Sequence, residues 1–188
     1  MTKNELRKKY KQLRNDLSRN EIETLSIDIA NQLLTLSIWD QTYYHIFLPI
    51  EEQNEIDTSF ILSILQGKDK EVVLSKCNFT DFSMVNYLLT ENTLIKKNKY
   101  NIPEPIDGLE VPISKIEVVF IPLLTFDKNG HRVGYGKGFY DRFLSKCNPK
   151  TIKIGLSFFK EENEINGVSK SDIKLNYCIT PKKIYGYN

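Results

Sequence analysis

The sequence predicts an α/β domain built in three layers, α/β/α, around a mainly parallel, mixed sheet. Three observations carry that reading. Segments of strand chemistry alternate with segments of helical periodicity along the 188 residues. Residues 117–124 form a short, almost continuous apolar run, the pattern of a strand buried on both faces of a parallel sheet. A glycine-rich run, Gly134-Tyr-Gly-Lys-Gly138, then stands between strand and helix. Ligands of such sheets collect there, at the carboxyl ends of strands.

The elements follow in order. Leu6, Tyr10, Leu13 and Leu17 fall at i, i+4, i+7 and i+11, one stripe of an amphipathic first helix. Ser18 with Glu21 is a capping box that starts a second helix, with apolar positions Ile22, Leu25, Ile29, Leu33 and Leu36. Residues 42–48 are β-branched and aromatic-rich, a first strand stopped by Pro49. Asp57 caps a short helix through Phe60, Ile61, Ile64 and Leu65, closed by Gly67. Residues 71–75 read as a strand. The stretch 79–110 is weakly patterned, with a strand over 84–89 and an extended loop over 102–105, where two prolines bar helix.

After the buried strand, Asp127-Lys-Asn-Gly130 is a turn. The glycine run leads into a helix over 139–146, which ends before Asn148-Pro149. Residues 152–158 are another strand, 160–174 a polar loop and 177–180 a last short strand. Repeats and low-complexity tracts are absent.

Composition bounds the function. A chain of this length is one domain, residues 1–188, with an ordinary 40% hydrophobic and 27% charged content. The net charge of +2 is too small to argue for nucleic acid. The longest apolar run, residues 118–124, contains Pro122 and is far too short to span a membrane. The basic N-terminus lacks an apolar segment, so no secretory signal is read. Cys77, Cys147 and Cys178 are odd in number and widely spaced, as expected of reduced thiols in a cytoplasmic protein. With only His45 and His131, a histidine metal site or hydrolase triad is poorly supplied.

The glycine run is where chemistry is expected. Glycines let a backbone turn its N–H groups inward, and with Lys137 among them and a helix start behind, the segment suits an anion, phosphate above all. Asp141, just past it, is placed to hold the magnesium that accompanies a nucleotide. The run is neither a Walker loop nor a dinucleotide fingerprint. A glycine-rich surface turn is the plainer alternative.

Residues 1–19 carry seven Lys or Arg against two acids. At about 100° per residue, Lys3, Arg7, Lys11 and Arg14 form one stripe roughly 80° wide. Three readings stand: a solvated face, a nucleic-acid helix, or Lys3 and Arg7 reaching the same site as the glycine loop, beside a triphosphate.

These pieces resemble a known family, the 5-formyltetrahydrofolate cyclo-ligases, along essentially the whole chain. The matching segments are Lys3-Asn-Glu-Leu-Arg7, Pro49 followed by Glu55-Ile-Asp-Thr58, Glu104-Pro105, the run from Phe126-Asp-x-x-Gly130 through Arg132-Val-Gly-Tyr-Gly-Lys-Gly-Phe-Tyr-Asp-Arg142, Gly155-Leu156, and Asp172 to Thr180. The resemblance implies a fold like that of the NagB/RpiA/CoA transferase group. It implies an ATP- and Mg2+-dependent cyclisation of 5-formyltetrahydrofolate to 5,10-methenyltetrahydrofolate, with release of ADP and phosphate. The formyl oxygen would take the γ-phosphoryl group to give an iminium phosphate, which N10 of the folate attacks.

Roles carry over by position. Lys137 and Arg7 are the implied catalytic groups. Lys3, Asn4, Glu5, Leu6 and Arg7, with Arg132, Val133, Gly134, Tyr135, Gly136, Lys137, Gly138, Phe139 and Tyr140, are the implied ATP contacts. Glu55, Arg7, Tyr135 and Phe139 are the implied folate contacts, and Asp141 and Asp172 the implied magnesium ligands. The implied partner is a small-molecule folate, polyglutamylated forms included, met by a cytoplasmic monomer that uses neither nucleic acid nor membrane.

Phe139 stands where the family often has Tyr, Asn176 where many members carry Asp, and Ser75 where Pro is common, with Lys76 retained. The first removes a hydroxyl contact and the second a third metal-side carboxylate. A non-catalytic folate- or nucleotide-binding regulator on the same scaffold stays open, as does a polyanion-binding module built on the first helix, which the modest net charge opposes.

Overall fold

The structure is a computed structural model whose description covers residues 1–187. In chain order the elements are α1 (Lys3–Asn15), α2 (Arg19–Leu34), β1 (Tyr43–His45), α3 (Ser59–Gly67), β2 (Glu71–Asn78), β3 (Ser83–Leu88), β4 (Ile95–Lys97) and β5 (Pro103–Pro105). There follow β6 (Val118–Pro122), β7 (Thr125–Phe126), β8 (Arg132–Val133), α4 (Phe139–Leu144), β9 (Ile152–Leu156), β10 (Tyr177–Ile179) and β11 (Ile184–Gly186). A seven-stranded sheet runs in the order β11-β10-β9-β6-β1-β2-β3. Its inner pairings are parallel, and β11 and β3 add antiparallel edges. The mainly parallel, mixed sheet is as the sequence predicts.

Strand alternation sorts β6 onto two cores. Val118 and Phe120 face a cluster shared with Ile29 and Leu33 of α2 and Ile61 and Leu65 of α3. Val119 and Ile121 face the opposite cluster, closed by Phe143 and Leu144 of α4. Each fully buried branched side chain contributes roughly 1.5–3 kcal/mol, so these two faces hold the layers together more than helix propensity does. A third cluster packs Leu6 and Tyr10 of α1 on Leu124, Val133 and Ile165, so α1 lies over the β7–β8 hairpin.

Several boundaries differ from expectation. Leu13 is 38% exposed, whereas Arg14 is 5% exposed. The buried stripe is Leu6, Tyr10 and Arg14, spaced i, i+4, i+8, which turns Leu13 outward and takes Arg14 out of the basic stripe. The Ser18–Glu21 capping box forms, and α1 has another from Thr2 and Glu5. Asp57 does not cap α3: the N-cap is Thr58, without a side-chain cap bond, and Asp57 Oδ1 accepts the Ser59 N–H at 2.9 Å in a turn just ahead of the helix. Near the end of α3 the left-handed residue is Asp69 (φ 52°), not Gly67.

The proline segment is not a loop. As β5 it pairs antiparallel with β4, Lys96 opposite Glu104, in a two-stranded ribbon where the missing proline N–H groups disrupt no central ladder. Strand β10 is not the last, because β11 folds back on it. No described helix is long and apolar enough to cross a membrane. Cys77, Cys147 and Cys178 are free thiols.

Candidate active site

A cleft of about 490 Å³ opens where β1, β2 and β6 end and the glycine loop crosses. Lys3, Arg7 and Lys11 of α1 line one side. Arg7 Nε donates to Gly134 O at 3.0 Å and its Nη1 to Asn4 Oδ1 at 2.6 Å. Glycine at position 136 lets the loop pack closely against that guanidinium. Its φ is +94°, and a β-carbon there would meet Arg7 Cζ at 3.0 Å. Gly138 (φ +72°) makes the same room for Arg142, whose Nη1 donates to Lys137 O at 3.0 Å. The loop is thus gripped from both sides. The exposed Lys137 side chain makes no hydrogen bond or ion pair among the described residues, leaving its ammonium available to a ligand.

Beside them stand Asp141 and Asp172. Asp141 Oδ1 accepts from Arg132 Nη2 at 2.7 Å and from the Ile173 N–H at 3.0 Å. Asp172 Oδ2 pairs with Lys3 and accepts the Ser169 N–H at 2.8 Å. Partial burial pulls the Asp172 pKa up, but the bonds from Lys3 and Ser169 outweigh it and hold the carboxyl below its ordinary range. Asp141 Oδ2 and Asp172 Oδ1 have no protein donor among the described residues. Those residues hold no group of three or more His, Cys, Asp or Glu placed for a metal. A donor set of two carboxylates, each with a spare oxygen, fits magnesium, which takes one or two carboxylates with phosphate oxygens and waters.

The cleft floor is buried and charged. Glu55 is 6% exposed. Its Oε2 accepts the Ile50 N–H at 2.8 Å and its Oε1 the Tyr135 hydroxyl at 2.7 Å. Arg14 Nη1 lies 3.9 Å from the same Oε1. Burial raises the Glu55 pKa, and Arg14, the Ile50 N–H and Tyr135 restrain the rise. An aromatic wall completes the site: Phe139 meets Phe79 edge-on at 5.1 Å, and Phe79 meets Tyr100 at 4.2 Å. Tyr140 packs edge-on against His45 at 5.9 Å, and burial raises its hydroxyl pKa. His45 is itself neutral, its pKa lowered to about 3 by burial. Ser75 Oγ donates to Asn86 Oδ1 and so accepts from His45 Nε2, which fixes the tautomer.

Most residues named from the sequence meet here. Lys3, Arg7, Glu55, Arg132, residues 134–140, Asp141 and Asp172 all border the cleft. Asn4, Glu5, Leu6 and Val133 do not. Asn4 bonds Arg7, Glu5 closes the α1 cap, and Leu6 and Val133 are core. The Arg132 guanidinium is engaged by Asp141 and by the Ile173 carbonyl, which ties the glycine loop to the 172 segment. Asn176 Oδ1 accepts the Lys153 N–H at 2.9 Å, a bond that joins neighbouring strands. Lys11, Arg14, His45, Phe79 and Tyr100 were not assigned to the site from sequence. No local signal marked them: on helical spacing from Leu6 the better face match is Leu13, not Arg14.

The fold and cleft define an α/β protein with a glycine-rich loop and its cations set beside an acidic pair and an aromatic wall. The model of the 5-formyltetrahydrofolate cyclo-ligase family matches residues 1–181, and the chain belongs to that family. The 5-formyltetrahydrofolate cyclo-ligase of Mycoplasma genitalium is 31% identical over 158 residues, covering 83% of this chain and 84% of the relative. The mouse cyclo-ligase is 30% identical over 182 residues, covering 91% and 89% respectively. The NMR structure of Aquifex aeolicus 5,10-methenyltetrahydrofolate synthetase superposes with a TM-score of 0.83 at 27% identity, covering 99% of this chain and 93% of that one.

Proposed function

We propose that this chain uses ATP and Mg2+ to cyclise 5-formyltetrahydrofolate to 5,10-methenyltetrahydrofolate, releasing ADP and phosphate. The observation that carries the reading is the meeting, in one cleft, of the cations Lys3, Arg7 and Lys137 with Asp141, Asp172 and the buried Glu55. A formyl amide carbon is a poor electrophile and its oxygen a poor leaving group. Moving the γ-phosphoryl group to that oxygen gives an iminium phosphate. N10 then attacks the carbon and gives up its proton, and the C–O bond breaks to release phosphate.

The protein's part is positioning and charge neutralisation. Lys3, Arg7 and Lys137 bind the phosphates, with the loop N–H groups beside them. Asp141 and Asp172 would hold magnesium, which would offset the negative charge of the phosphates. Ionised Glu55 accepts N–H donors of the pterin, and Phe139 gives its ring an aromatic face. The substrate is a small-molecule folate, handled in the cytoplasm by a monomer with no nucleic-acid or membrane partner, in keeping with a net charge of +2. The test mixes purified protein with ATP, Mg2+ and 5-formyltetrahydrofolate and follows the methenyl chromophore by absorbance. Folded protein that binds ATP or folate yet releases no ADP would be a binding regulator instead.

A further inference from the structure

Arg14 belongs neither to the phosphate clamp nor to the acidic pair. It sits in the last turn of α1 at 5% exposure, where a guanidinium is rarely found without a task. Its Nη2 donates to Leu123 O at 2.6 Å and its Nη1 to the Tyr135 hydroxyl at 2.8 Å. Arginine only donates, so Tyr135 accepts from Arg14 and gives its own proton to Glu55 Oε1, 2.7 Å away. The Arg14 carbonyl accepts from Asn54 Nδ2 at 3.2 Å, which ties the end of α1 to the residue before Glu55.

We propose that Arg14 is a positioning residue: through Tyr135 it keeps the Glu55 carboxylate ionised and aimed into the cleft. The inference rests on the reading of this cleft as the ATP and formyl-folate site. Helix α1 then serves both ends of the reaction, the phosphates with Lys3 and Arg7 and the folate carboxylate with Arg14. A carboxylate buried this deeply neutralises or swings away unless a cation faces it. Arg14 is the one cation paired with Glu55 among the described residues. The other groups facing this pair are the Ile50 N–H from the β1–α3 connection, the Tyr140 hydroxyl from α4, and Lys11 of α1, whose ammonium stands 5.3 Å over the Tyr135 ring. Lys11 is exposed and reaches the ring, not the carboxylate.

The test uses the full chain with Arg14→Gln and Arg14→Lys. The Glu55 carboxyl is titrated by NMR of isotope-labelled glutamate side chains, its signal assigned by its loss in Glu55→Gln. Arg14→Gln should move that titration to higher pH, and the acidic limb of kcat/KM should move with it. KM for 5-formyltetrahydrofolate should rise about tenfold or more while KM for ATP stays within about twofold, since the defect lies at the folate end. Arg14→Lys should bring the titration back towards that of the wild type but keep part of the KM defect, because an ammonium has the charge without the fork. If Arg14→Gln does not fold, Tyr135→Phe reads the same relay and should also raise the Glu55 titration. An unmoved Glu55 titration overturns the proposal, as does an equal rise of both KM values that lysine fails to relieve. A wild-type protein inactive on 5-formyltetrahydrofolate sinks the reading of the cleft, and the substrate-free titration still decides the role of Arg14.

Discussion

Arg7 lies across Gly136, its guanidinium carbon 3.0 Å from where a β-carbon would stand. One close approach therefore joins the first helix to the glycine loop, and Arg7 Nε seals it by donating to Gly134 O. Two segments 127 residues apart meet at one edge of the cleft, packed closely where position 136 lacks a side chain.

Gly136→Ala should disturb that site first. Its φ of +94° strains any other residue by about 1–3 kcal/mol, and the added methyl group pushes Arg7 aside. A lower Tm with a raised KM for ATP is the expected pair of results. A change in Tm alone would separate Arg7 from nucleotide binding.

Lys137→Ala should leave Tm unchanged, since the side chain is exposed and bonded to nothing among the described residues. Activity should fall about 100-fold or more, the usual cost of removing a charged donor from a transferring group. Steady-state kinetics beside a thermal melt checks both halves.

Asp141→Asn keeps an Oδ1 that can accept from Arg132 and Ile173, so the loop should stay in place. What changes is charge. The Mg2+ concentration for half-maximal rate should rise about ten- to a hundredfold, read from a magnesium titration of the rate.

Glu55 links activity and stability to pH with opposite signs. Burial raises its pKa above the ordinary 4.5, and for the proposed pterin contact the ionised form is the stronger acceptor of N–H groups. Activity should fall as pH drops through that raised value. A raised folded pKa also means a stability contribution that is full below 4.5 and lost as pH rises through the folded pKa. The Tm of Glu55→Gln should therefore gain on that of the wild type as pH rises. A Tm difference that does not vary with pH would contradict the shift.

The parallel sheet, the Ser18–Glu21 capping box of α2 and the glycine loop were legible because each is local: an apolar run, a spacing, a residue that tolerates positive φ. The exchange of Leu13 for Arg14 was not, because a guanidinium is buried only when Tyr135 and Glu55, far along the chain, wait to receive it. Phe79 and Tyr100 lay in a stretch without periodicity, and only the fold brings Phe79 to Phe139 with Tyr100 packed behind it. The β4–β5 ribbon was hidden by its prolines, which bar a central strand but not a two-stranded one. The helical stripe left Lys3 and Arg7 with the site as one of three readings, and Asp172 came by resemblance alone, since nothing in a local pattern tells which way a helix end and a distant loop will face.

Absorbance of the methenyl product decides the central claim. With ATP, Mg2+ and 5-formyltetrahydrofolate all present, wild-type protein should build the chromophore and release one ADP per product. Omitting any of the three should abolish it. Folded protein that binds both ATP and 5-formyltetrahydrofolate, yet forms neither chromophore nor ADP, would contradict the account.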